Sequence, residues 1–99
     1  MAIFSSHLLD ATNGSHAGKV DVIIYQINEN GDKAIFCETK SDEGGRINEE
    51  FDLSEKDIKC EYEMICKSGK YFSEERIVSE INIKFKMEDN NKKYHIPII

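Results

Sequence analysis

The sequence predicts an all-β sandwich or barrel, in one domain covering residues 1–99. Two observations carry that prediction. Apolar and polar residues alternate with period two in several short runs, the pattern of a strand with one wet face. Clusters of Gly, Asn, Asp and Ser separate those runs at regular intervals, as turns separate the strands of a sandwich. Helical signals are confined to two stretches of about one turn each.

The first element is Ile3 to Leu9, in which Phe4, Ser6 and Leu8 share one face and Ser5, His7 and Leu9 the other. Val20 to Ile27 follows, rich in β-branched residues and apolar on both faces at its centre. Asn30-Gly31-Asp32 then reads as the turn of a hairpin leading into a strand over Ala34 to Thr39. Ser41 to Gly45 is a loop. Ser54-Glu55-Lys56-Asp57 could form a helical turn. Cys60, Tyr62, Met64 and Cys66 alternate with Glu61, Glu63 and Lys67, interrupted only by Ile65. Ser68-Gly69 marks a further loop, and Ser73-Glu74-Glu75-Arg76 could open a short helix with Ser73 as its N-cap. The clearest alternation comes next, with Ile81, Ile83, Phe85 and Met87 set against Glu80, Asn82, Lys84 and Lys86. After a loop over Glu88 to Lys93, the segment Tyr94 to Ile99 reads as a last strand.

Composition narrows the function. Ninety-nine residues suffice for one core. A hydrophobic fraction of 39% is ordinary for a globular chain, and no apolar run approaches the roughly 20 residues that span a bilayer. The formal net charge of −6 argues against nucleic acid and against an anionic membrane surface, both of which call for clustered Lys and Arg. A small anionic or neutral substrate stays open. Cys37, Cys60 and Cys66 are odd in number and lack metal-ligand spacing. Cys60 and Cys66 lie six apart in one predicted strand, too distant to bond. They read as free thiols serving as small apolar residues, which suits a reducing, cytoplasmic compartment. Met1 to Leu9 does not have the layout of a signal peptide.

The two end segments hold the candidate chemistry. If Phe4, Leu8, Tyr94, Ile96 and Ile98 face the core, His7 and His95 both point outward, beside Leu9, Pro97 and Ile99. That outer face is apolar enough to suggest cover by another subunit. Should the first and last strands pair, directly opposed side chains on that face stand about 4.5–5.5 Å apart. Two imidazoles so placed can take a proton from water and return it. Arg46, at a loop end, carries a planar fork suited to a carbonyl oxygen or a delocalised anion. Taken singly, each has a plainer reading: a strand histidine that merely satisfies hydrogen bonds, and a solvated arginine after a glycine turn. Gly44-Gly45 could form an anion-binding nest, although a plain turn explains it as well.

A resemblance ties these residues together. Ser5-Ser6-His7-Leu8-Leu9-Asp10 with Thr12-Asn13-Gly14 resembles the N-terminal signature of the 5-hydroxyisourate hydrolases, a transthyretin-like family. Thr39 through Asp42 to Gly45-Arg46 resembles their Thr-x-x-Asp-Gly-Arg loop, with one extra residue. Tyr62-Glu63-Met64 followed by Gly69-Lys70-Tyr71-Phe72 resembles the family's Tyr-Glu-Leu and Tyr-Phe pair, counted as one motif, and Tyr94-His95-Ile96-Pro97-Ile98 resembles the His-Tyr-His-Val-Pro-Leu signature. The four motifs occur in order over essentially the whole chain. The resemblance implies a transthyretin (prealbumin)-like two-sheet β-sandwich with one short helix, here at Tyr71 to Arg76. It also implies a homotetramer with active sites opening into a central channel. The implied activity is hydrolytic ring opening of 5-hydroxyisourate in urate and purine degradation, without metal or organic cofactor, with His7, Arg46 and His95 as the catalytic residues. His7 and His95 are the implied water-activating pair, and Arg46 the implied substrate-orienting charge.

The sequence departs from the family in places. The family's last strand, closing in Tyr-Arg-Gly-Ser, has no counterpart before Ile99, and a chain shortened relative to the natural protein is the expectation. Lys93 stands where the family has the first histidine of its C-terminal signature, and Arg76-Ile77-Val78-Ser79 replaces a Pro- and Phe-rich stretch. His16 reads as a surface loop residue. The missing motif supports an alternative: a non-catalytic transthyretin-like binding or structural protein. Transthyretin-type carriers have no need of the His7, Arg46 and His95 set.

Overall fold

The computed structural model describes residues 1–10, 15–16, 20–67 and 81–98. Among these residues nine strands occur in order: β1 (Ala2–His7), β2 (Leu9–Asp10), β3 (Ser15–His16), β4 (Asp21–Ile27), β5 (Lys33–Lys40), β6 (Arg46–Phe51), β7 (Glu61–Cys66), β8 (Ile81–Lys86) and β9 (Lys93–His95). A four-stranded antiparallel sheet has the order β5-β4-β7-β8, and a three-stranded sheet the order β6-β1-β9. β2 and β3 form a small two-stranded ladder. His16, expected in a loop, pairs its backbone with Leu9 there. The helix expected at Tyr71 to Arg76 lies outside the described residues.

Alternation decides which side chains meet between the sheets. Along β1, Ala2, Phe4 and Ser6 are buried, as is Leu8 just beyond it, while Ile3, Ser5 and His7 are only partly covered. β4 contributes Val22 and Ile24, and β7 contributes Tyr62, Met64 and Cys66. Aromatic contacts among the described residues run through the core. Phe4 stacks on Phe85 at 5.3 Å and Phe85 on Tyr62 at 5.7 Å. Phe36 meets Tyr62 at 5.1 Å and Phe51 at 4.8 Å. Since Phe4 and Phe51 belong to one sheet and Phe36, Tyr62 and Phe85 to the other, these rings join the two layers. Phe36 joins them because of a bulge: Ile24 pairs with Cys37 and Tyr25 with Ile35, so Phe36 is the extra residue on β5.

The hairpin expected at Asn30-Gly31-Asp32 forms. The Asn28 side chain accepts the backbone N–H groups of Asn30 and Asp32, both at 2.9 Å, and Gly31 takes a φ of 85°, a left-handed conformation that suits glycine. At Ser54–Asp57 the backbone N–H of each residue donates to the other's side chain, at 3.0 and 3.1 Å. This reciprocal arrangement leads into one 3-10 turn, Asp57–Lys59.

Besides the short β3, one strand departs from the sequence expectation. Arg46–Phe51 carries two carboxylates, an amide and a guanidinium, which leaves Ile47 and Phe51 as its apolar residues. Propensity alone does not mark it as a strand. It forms because β1 offers a paired edge over all six residues, from Ala2 opposite Phe51 to His7 opposite Arg46. On β1's other side β9 runs parallel, with Ser5 opposite His95. The first and last segments of the chain therefore lie side by side.

Candidate active site

Two consecutive rungs on the outer face of the three-stranded sheet hold all three candidate residues. In the first rung Arg46 on β6 stands directly opposite His7 on β1. In the second, Asn48 and His95 flank Ser5 from β6 and β9. The inward neighbours Phe4, Ser6 and Ile47 are buried, which by strand alternation turns Ser5, His7, Arg46 and Asn48 outward. Tyr94, Ile96 and Ile98 pack against the core, as expected, and His95 and Pro97 are exposed. One detail of the expectation changes. The two imidazoles are diagonal neighbours rather than directly opposed, because the parallel register places His95 beside Ser5, one rung from His7. Leu9 and Ile99, named in the apolar outer face, have no described side chains.

The register of β9 is fixed by several bonds. The N–H groups of Ile96 and Ile98 donate to the carbonyls of Ser5 and His7, both at 3.0 Å. In a strand alternate N–H groups point to opposite edges, so Pro97, which has none, falls where the donor would face away from β1. On the inner side the Ser6 hydroxyl donates to the Ile96 carbonyl.

The loop before Arg46 is organised by one carboxylate. Asp42 Oδ1 accepts the N–H groups of Gly44 and Arg46, each at 2.9 Å, and the Asp42 N–H donates to the Arg46 carbonyl at 2.9 Å. Gly45 takes a φ of 75°, and its carbonyl accepts the Leu8 N–H at 2.7 Å. The loop is thereby tied to the end of β1. Because Asp42 already engages the Gly44 N–H, the Gly44-Gly45 pair is a turn and not an anion nest. Its outward contribution is a carbonyl: Gly44 O lies 3.1 Å from His7 Nε2. A carbonyl only accepts, so Nε2 carries the proton, and in the neutral ring Nδ1 holds the acceptor lone pair.

His95 is held differently. Its Nδ1 lies 2.8 Å from the Ser5 hydroxyl. Ser5, Asn48 and the Gly44 carbonyl were not singled out in the sequence. Ser5 shares a predicted face with His7, but only the strand register shows what it touches.

The cysteines do not supply a nucleophile. Burial pushes the Cys66 thiol up to about 11, and burial together with Glu49 and Glu38 raises that of Cys37. Cys60 is buried, and its thiol points to the Lys56 carbonyl at 3.4 Å. All three are free thiols, as expected. Tyr62, fully enclosed, is likewise pushed by burial up to about 12. A polar depression beside the β4–β5 turn, lined in part by Asn28, Glu29, Lys56 and Lys59, includes none of the three candidate residues. Among the described residues no helix is long and apolar enough to cross a membrane.

Residues 4–99 match the model of the HIUase/Transthyretin family. A 5-hydroxyisourate hydrolase of Halalkalibacterium halodurans is 26% identical over 102 residues, covering 96% of this chain and 86% of the relative. One from Salmonella typhimurium is 29% identical over 100 residues, covering 98% and 72%. Among solved structures, the Klebsiella pneumoniae 5-hydroxyisourate hydrolase aligns with a TM-score of 0.75 and 22% identity, over 98% of this chain and 87% of that one. An (S)-allantoin synthase aligns with a TM-score of 0.76 and 19% identity. This chain spans 38% of that structure's length, and the likeness is one of fold.

Proposed function

The chain belongs to the HIUase/transthyretin family, and on that premise we propose that it hydrolyses 5-hydroxyisourate through His7, Arg46 and His95. The carrying observation is that independent strands deliver these three residues to two adjacent rungs of one outward face. A non-catalytic sandwich would not need them gathered.

The chemistry follows from the groups. One imidazole of the pair takes a proton from water as its oxygen attacks the ring carbonyl. A bond forms between that oxygen and the carbonyl carbon, and the carbonyl oxygen becomes an oxyanion. The Arg46 guanidinium, opposite His7, supplies fixed positive charge for it. As the intermediate collapses, the carbon–nitrogen bond of the cyclic amide breaks. The proton is returned to the departing nitrogen, giving an opened chain with a new carboxylate. Histidine suits both halves of this exchange near neutral pH.

The reading includes a homotetramer in the cytoplasm, as the family resemblance implies. Support for an assembly on this face comes from Pro97, an exposed non-polar residue two positions after His95, between Ile96 and Ile98, whose N–H groups bond to β1. The test is the ultraviolet decay of freshly generated 5-hydroxyisourate with and without the protein. Acceleration is expected; decay no faster than in buffer would falsify the reading. Sedimentation of the same sample gives the oligomeric state.

A further inference from the structure

We propose that Ser5 is a positioning residue for His95, selecting the ring orientation and tautomer with which that imidazole serves the reaction. The inference rests on the hydrolase reading and adds to it a residue that does not itself touch substrate.

Two geometric facts support it. Ser5 is directly opposite His95 in the parallel ladder, and its hydroxyl lies 2.8 Å from Nδ1. Beside it, the Ser5 carbonyl accepts the Ile96 N–H at 3.0 Å, so the backbone of this rung is fixed independently of the ring. Ser5 and Ser6 thus clip β9 on both sides of β1, one hydroxyl on the ring of His95 and the other on the Ile96 carbonyl.

The physical need is plain. His95 is exposed, and an exposed imidazole on a strand can rotate about two bonds and exchange its proton between two nitrogens. A serine has one short rotor, so holding it costs little conformational entropy. With Nδ1 engaged by Ser5, Nε2 becomes the nitrogen that exchanges protons with water and substrate. His7 is fixed through the opposite atom, since its Nε2 donates to Gly44. The two imidazoles are therefore held by different nitrogens.

The experiment uses the full chain labelled with 15N at histidine. The ring nitrogen shifts report tautomer and hydrogen bonding at His95, separately from turnover. In Ser5→Ala a single His95 tautomer is expected to give way to a mixture, with His7 unchanged, and Ser5→Thr to restore it. For 5-hydroxyisourate, kcat is expected to fall about tenfold in Ser5→Ala, the size of one lost hydrogen bond, with KM nearly constant. The same substitution made in a His95→Ala background should add no further loss. Identical His95 ring shifts in wild type and Ser5→Ala would overturn the proposal, as would an equal loss of kcat without His95. A wild-type chain that fails to turn over 5-hydroxyisourate would instead remove the hydrolase reading, while the ring shifts still decide whether Ser5 governs His95.

Discussion

On the outer face of the four-stranded sheet, charge is answered across the strands. Lys33 reaches Glu63 at 2.7 Å and lies 5.4 Å from the centre of the Tyr25 ring, and Lys40 reaches Asp21 at 3.3 Å. Lys84 and Lys86 on β8 stand opposite Glu63 and Glu61 on β7. The outer face of the three-stranded sheet is built otherwise. Its imidazoles are held by a backbone carbonyl and a serine hydroxyl, and the loop before its guanidinium is fixed by the Asp42 carboxylate. Long side chains paired with one another supply solubility and modest stability. Here the imidazoles are held instead by short neutral groups, a carbonyl and a hydroxyl. The difference lies in what each polar group is bonded to, rather than in how many there are.

The strongest way to break this comparison is to substitute on each face and measure turnover. His7→Ala, Arg46→Ala and His95→Ala should each lower kcat/KM by about two to four orders of magnitude. Lys84→Ala and Lys86→Ala, on the other face, should leave it within about twofold. Equal effects on both faces would end the distinction.

Between the faces lies the core they share. Phe4→Ala removes a fully buried ring stacked on Phe85 and should cost about 3–5 kcal/mol in urea unfolding. A smaller loss, about 1 kcal/mol, is expected for Lys33→Ala, because Glu63 is buried but Lys33 is 45% exposed and the pair is partly screened. Activity should be retained in that variant.

The smallest effect concerns acid. Partial burial pushes the Asp57 carboxyl up, but hydrogen bonds from the Ser54 backbone, Gln26 and the Ser54 side chain, with the charge of Lys56, outweigh it and hold the group below its ordinary 3.8. The unfolded chain therefore binds this proton first as pH falls. The stabilisation is complete above the ordinary value and is lost as pH drops through the lowered one. Asp57→Asn should shallow the decline in urea midpoint between about pH 5 and pH 2.5.

Much of this architecture is written as alternation. β7 and β8 are legible because their apolar residues recur every second position, β4 because it is rich in β-branched residues, and the outward placement of His7 and His95 follows from strand alternation. β6 is not legible, since its fitness as a strand comes from pairing with β1 rather than from its own residues. Register is the other gap. Alternation gives the face a residue occupies but not its neighbour, so Ser5 beside His95 and Gly44 beside His7 emerge only once the strands are aligned. The bulge that brings Phe36 inward is hidden for the same reason.

The bond between Ser5 and His95 joins residues 90 positions apart in the chain. No local folding unit can make it, because both partners must wait for everything between them to be synthesised and collapsed. Such long-range pairing slows folding. It also means that the outward face is assembled late: a nascent chain on the ribosome carries His7 early, but His95 joins it only after β9 has emerged and docked beside β1.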